Sequence, residues 1–253
     1  MSRLANILFH RRNLRRWHQT QDIAKKEDLF ALRKTRGRAR EMRHAIDKVL
    51  HVADGRLTLP LIGSNAIQKP LHSDWAYRPD LWRGPLNPPG IAAIETKASI
   101  GDEVRIFHDC KISELTVRQV RNTLEEDLAP FGLRIDVFQF DGSFLSLVIE
   151  MPSDALAGLN RRHLVRMSAV IDMEQPLEIF ARFNFKHGPN SEQLVRELEV
   201  VDGKAVVEFD LAYTSLNEKR LERAWVDLIF ENPQLNQIML RDITFSRRPR
   251  AEV

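Results

Sequence analysis

From residue 91 onward the chain alternates with a period of two, and this alternation limits the folds open to it more than any other feature. Val165, Met167, Ala169, Ile171 and Met173 are interleaved with Arg166, Ser168, Val170 and Asp172. Similar patterns run through Ile179, Ala181, Phe183 and Phe185, through Val207, Phe209, Leu211 and Tyr213, and through Val226, Leu228 and Phe230. Successive side chains of a strand point to opposite faces, so each run reads as a strand with one face in a core. Asp141-Gly142, Glu174-Gln175-Pro176, His187-Gly188-Pro189-Asn190, Asp202-Gly203 and Asn232-Pro233 stand where the alternation stops, and these residue types favour turns. Asp202-Gly203 between two alternating runs is the clearest hairpin signal.

Adding Val104–His108, Leu133–Phe140 and Phe144–Met151 brings the number of strands to at least eight. The short connections predict a mainly β fold, an antiparallel β-sandwich or jelly roll. The alternation changes phase between Leu240 and Ile243, which predicts a bulge in the last strand. Residues 114–129 allow two readings. Thr116-Val117-Arg118-Gln119 fits a helical capping box, and the same stretch fits a strand entering a turn near Asn122; a sandwich favours the strand.

Two other segments precede the sandwich, giving a basic helical arm (1–56), a proline-rich aromatic connector (57–90) and the β domain (91–253). In the arm, Leu32, Thr35, Ala39, Met42, Ile46, Val49 and Ala53 recur at spacings of three and four, one stripe of an α-helix. Gly37 predicts a bend and Asp54-Gly55 the helix end. Residues 1–50 carry 14 Lys/Arg against 5 Asp/Glu, and the remainder 24 against 30. The basic character therefore belongs to the arm. Arg11, Arg12, Arg15, Arg16, Arg36 and Arg40 are candidates for binding anions, either phosphates of nucleic acid or a lipid surface. The competing reading docks this basic face on the acidic β domain, and nucleic acid is not the favoured partner.

In the connector, Pro60, Pro70, Pro79, Pro85, Pro88 and Pro89 deny a long helix or a central strand. Trp75, Tyr77 and Trp82 lie among them. They read either as a platform that stacks on sugar rings, with Arg78 supplying hydrogen bonds, or as aromatic mass packed onto the domain. His187 and Asn190 flank a Gly-Pro pair and read either as a binding loop or as a plain turn. Trp225, on the face opposite Val226 and Leu228, reads as part of a concave outer sheet face or as covered by the N-terminal helix.

Several functions lack their usual signatures. No apolar run approaches the ~18 residues of a membrane span, and the short apolar N-terminus followed by Arg11 and Arg12 is not a secretory pattern; the chain reads as cytoplasmic. Cys110 is the single cysteine, which rules out an internal disulfide or a multi-cysteine metal site, and reads as a small hydrophobe. Glycine-rich phosphate loops, zinc-protease helices and nucleophile elbows are all missing, so no cofactor and no metal are expected. The chain reads as a non-enzymatic binding protein for a glycan or a protein partner, its oligomeric state open.

Asp74-Trp75 through Gly84-Pro85, Phe107-His108-Asp109-Cys110, Asp141 through Leu147, Lys186 through Asn190, and Arg241-Asp242-Ile243 running to Glu252 carry a resemblance. With these stretches the chain resembles a family of alphaproteobacterial proteins defined as a domain of unknown function. That resemblance implies no activity, cofactor or site residue. The β-rich part is also loosely similar to carbohydrate-binding jelly rolls, a similarity of fold.

Overall fold

The computed structural model describes residues 3–57, 66–112 and 114–250, with side chains from 9–53, 66–112 and 114–250. Two compact units divide the chain, Met1–Leu50 and His51–Val253. Two helices begin it, α1 (Arg3–Ala24) and α2 (Leu29–Leu57). The helical break falls at residues 25–28 and not at Gly37. Asp28 explains this: its Oδ1 accepts the amide N–H groups of Phe30 (2.9 Å) and Ala31 (3.0 Å), which caps a new helix. Gly37 only lowers helix propensity and offers the backbone no alternative partner, so α2 passes through it and continues beyond Asp54-Gly55. Among the described residues no helix is long and apolar enough to cross a membrane.

The second unit contains the strands β1 (Trp75–Tyr77), β2 (Gly90–Ala92), β3 (Ala98–Ile100), β4 (Val104–His108), β5 (Leu115–Arg121), β6 (Phe131–Val137), β7 (Leu145–Glu150), β8 (His163–Met173), β9 (Ile179–His187), β10 (Asn190–Glu197), β11 (Val200–Val201), β12 (Lys204–Asp210), β13 (Leu221–Phe230) and β14 (Asn236–Pro249). One-turn helices α3 (Asp80–Arg83) and α4 (Ser153–Leu156) interrupt them. The first sheet runs β11-β12-β8-β14-β6-β5-β2, with β1 beside β14; the second runs β10-β9-β13-β7-β4-β3. Each pairing is antiparallel. The fold is thus the sandwich that the alternation predicts, and residues 115–121 are the strand.

The core lies between the sheets. Met167, Ile171, Phe209, Leu240 and Phe245 of the first sheet and Phe183, Phe185, Val226, Leu228 and Leu147 of the second are all buried. Phe183 and Phe209 meet across the interface with ring centroids 5.5 Å apart. Asp202 and Gly203 both take positive φ (50° and 72°), the twist a two-residue hairpin requires, and join β11 to β12. The bulge is also present. The β14–β8 register slips between Leu240 and Asp242, so Leu240 and Ile243 both reach the core.

Residues 58–65, including Pro60, lie outside the described residues. The rest of the proline-rich stretch contributes the one-turn α3 and two three-residue strands, each paired on one side, where missing N–H groups cost little. Asp74, exposed just before β1, pairs with two buried side chains. Arg247 Nε donates to Asp74 Oδ1 (3.0 Å), and its Nη1 donates to the carbonyls of Ala155 (3.1 Å) and Ala157 (2.8 Å). His163 Nδ1 accepts the Asn160 amide (3.1 Å), which leaves the ring proton on Nε2, 3.5 Å from Asp74 Oδ2.

Burial, followed by the charge of Arg247, holds His163 below the ordinary 6.5, and the attraction of Asp74 does not offset them. The unfolded chain therefore binds this proton more readily than the folded one, and stability falls as pH drops below about 6.5. Melting temperatures at pH 7.5 and 5.0 should show this loss in the wild type and a smaller one in His163→Gln. Equal losses in both would remove His163 from the acid response.

Candidate functional site

The alternation that builds the core also fills the opposite face of the second sheet. On β13, Ala224, Val226, Leu228 and Phe230 face the core, so Trp225, Asp227 and Ile229 face outward. By the same rule β7 presents Ser146, Val148 and Glu150, β4 presents Arg105 and Phe107, and β9 presents Arg182. The strand register then decides which of these meet. Trp225 stands opposite Glu150, Asp227 stands between Val148 and Arg182, and Ser146 stands between Phe107 and Ile229. With Phe144 and Arg223 they line an open groove of about 510 Å³. This is within the size range of small-ligand sites, ~300–1,000 Å³.

Charged pairs fix its walls. Arg182 donates from Nε (2.8 Å) and Nη2 (2.6 Å) to Asp227 Oδ2, and Asn184 Nδ2 adds a third bond to the same oxygen (3.2 Å). Arg223 Nε donates to Glu150 Oε2 (2.8 Å), with a second bond from Nη2 to Oε1, and Arg105 reaches Glu150 at 3.4 Å. The Arg223 guanidinium also lies 4.7 Å from the centre of the Trp225 ring, a cation–π contact that orients the half-buried indole. Burial raises the Asp227 carboxyl above the usual range against the pull of Arg182, and neighbouring Glu150 adds to the rise.

Two turns hold one end of the groove. Asp109 Oδ1 accepts the amides of Ser143 (2.7 Å) and Phe144 (3.3 Å), and its Oδ2 accepts the Ser143 hydroxyl (2.6 Å). These bonds from Ser143 keep Asp109 below the usual carboxylate range. They also place Phe144 at the rim. Phe107 through Cys110 and Asp141 through Leu147, two of the stretches that carry the family resemblance, therefore meet here. Cys110 beside them is half-buried; burial pushes its thiol up, away from the reactive thiolate.

The other residues singled out from sequence lie elsewhere. Trp82 is wholly buried, and its Nε1 donates to the Leu240 carbonyl (3.0 Å). Arg78 is 2% exposed and forms two 2.8 Å bonds to Asp242. Trp75 stacks on Tyr77 (5.8 Å between centroids, 23° between planes), and the Tyr77 hydroxyl donates to Glu103. Burial, followed by that bond, pushes the Tyr77 phenol up. These side chains occupy the packing role, with partners along β14 and at Glu103. His187 is buried, stacks on Phe185 and accepts the Asn217 amide through Nδ1 (3.4 Å). Asn190 is exposed at the start of β10, paired with His187 across the hairpin that Gly188 turns with φ +59°. In the helical unit Arg11, Arg12, Arg15, Arg16, Arg36 and Arg40 are exposed on α1 and α2.

Of the groove residues, the sequence singled out only Trp225 as a candidate on an outer sheet face. The available signal was the outward half of each alternating run, where a sheet face open to solvent is ordinarily polar and here carries the large aromatics Trp225 and Phe107.

Among curated proteins no sequence matches this chain. Similar solved structures include the enzymatically active domain of a bacteriophage tailspike protein, at 7% identity and a TM-score of 0.41 over 59% of this chain; the match spans 21% of that domain. A family 11 carbohydrate-binding module from Clostridium thermocellum, in complex with a β-1,3-1,4-mixed-linked tetrasaccharide, is similar at 10% identity and a TM-score of 0.40, covering 65% of this chain and 98% of the module. An exo-β-agarase is similar at 8% identity and a TM-score of 0.39, covering 61% and 24% respectively. Over residues 1–253 the sequence matches the model of a family of unknown function, and the chain belongs to that family, DUF6478.

Proposed function

We propose that this protein is a non-enzymatic binding module that holds a glycan in the groove of its second sheet. The observation that carries the reading is the half-buried Trp225 indole, set among side chains whose hydrogen-bonding groups are already fixed by ion pairs. A sugar ring needs an apolar surface for its C–H face, and both donors and acceptors for its hydroxyls. Trp225 and Phe107 offer the first; the Arg182–Asp227 and Arg223–Glu150–Arg105 pairs offer the second. Because the pairs are made before any ligand arrives, little side-chain freedom is lost on binding.

The test is a glycan array probed with full-length protein and with Trp225→Ala. Specific binding by the wild type and a loss of roughly tenfold or more in the variant are expected, since a stacked aromatic anchor is worth about 1.4 kcal/mol or more. The variant should keep its far-ultraviolet spectrum, because Trp225 faces away from the core. Equal binding by both proteins would place the site elsewhere.

A further inference from the structure

The floor of the groove holds two polar side chains whose hydrogen bonding the fold leaves incomplete. Asp227 is 4% exposed, and the three N–H groups that reach it all go to Oδ2; its Oδ1 has no partner among the described residues. Ser146 is 5% exposed, and its Oγ likewise has no partner among the described residues. Folded proteins rarely leave such groups unbonded, because the desolvation cost is not recovered. Both face the groove from neighbouring strands. Asp227 is opposite Val148 and Ser146 opposite Ile229, so the two are diagonal neighbours, ~7–8 Å apart at the backbone. Two adjacent hydroxyls on one sugar ring, each ~2.7 Å from its protein partner, bridge a gap of that size.

Charge decides the ligand class. Each arginine of the groove has a carboxylate partner, Arg182 in Asp227 and Arg105 and Arg223 in the Glu150 they share, so three guanidiniums face two carboxylates. An anionic ligand reaching the floor would place its charge against Asp227 Oδ1. A cationic ligand would pass three guanidiniums to get there. A neutral hydroxyl donates to Oδ1 without penalty, and Ser146 Oγ both donates and accepts. We infer that Asp227 and Ser146 form a hydroxyl-reading subsite which selects a neutral saccharide presenting two adjacent free hydroxyls. This rests on the groove being the binding site.

The experiment is calorimetric titration of the full-length protein with cellotetraose, laminaritetraose and mannotetraose, and with tetragalacturonate as the charged counterpart. Binding of at least one neutral sugar, little changed between 50 and 500 mM salt, is expected. Ser146→Ala should weaken it roughly three- to tenfold, the effect of one hydrogen bond. Asp227→Asn should weaken it further. Asp227 also holds Arg182, so Ser146→Ala is the cleaner variant: it removes a hydroxyl with no internal partner and should leave the melting temperature unchanged or raised.

Neutral binding that is lost in Trp225→Ala but unaffected by Ser146→Ala and Asp227→Asn would overturn the subsite and leave the groove standing. Binding of tetragalacturonate alone, lost in Trp225→Ala, would overturn the neutral class and again spare the groove. Binding indifferent to all three substitutions, or none of the four sugars bound, would overturn both.

Discussion

Trp82→Ala is expected to lower the unfolding free energy by about 3–5 kcal/mol, the range for truncating a fully buried large aromatic residue. The side chain is 0% exposed, and it also satisfies the Leu240 carbonyl next to the register slip in β14. Truncation therefore leaves a cavity and takes a hydrogen-bond donor from a buried carbonyl together. Urea denaturation of wild type, Trp82→Phe and Trp82→Ala separates the two contributions. Trp82→Phe refills most of the volume while still leaving the carbonyl without its donor, and should fall between the others. A loss below about 1 kcal/mol in Trp82→Ala would mean that the connector is not integral to the sandwich.

Arg78→Ala is expected to cost a similar amount, about 3–5 kcal/mol, for an electrostatic reason. Arg78 is 2% exposed and Asp242 8%; the guanidinium donates from Nε and Nη2 to the two carboxylate oxygens, and from Nη2 to the Ala66 carbonyl (3.1 Å). Without Arg78 the carboxylate stays buried with no counter-charge. Replacing both partners by apolar residues, Arg78→Met with Asp242→Leu, should recover most of the loss, because the pair's attraction largely offsets its own desolvation. Thermal unfolding of the single and double variants tests this. A double variant no more stable than Arg78→Ala would show that the loss comes from packing and not from the stranded charge.

These two residues also show why their structural role is hard to read from sequence. Trp82 and Arg78 sit in an aromatic, proline-punctuated stretch that resembles a ligand-binding loop. Their partners, Leu240 and Asp242, are 158 and 164 residues further on. Nothing local marks that distance. The same limit applies to the arm. The apolar spacing shows a helix, yet Gly37 draws attention as the weak point, when the break is set by the Asp28 carboxylate and the two amides it caps. His187-Gly188-Pro189-Asn190 is legible as a turn because the Gly188 conformation is a local property.

What the sequence by itself determined is the sandwich. Period-two alternation assigns each side chain to a face, Asp202-Gly203 specifies its hairpin, and the phase change after Leu240 locates the bulge, all within a few residues of chain. It also sent Trp225 outward. Only the tertiary structure decided that Trp225, Asp227, Ser146, Glu150 and Arg182 share one groove. Their meeting depends on the register and order of β4, β7, β13 and β9, drawn from residues 104 to 230. Alternation fixes the face a residue occupies but not its neighbour on the next strand, since sliding a strand by two residues preserves the pattern and changes every cross-strand pair.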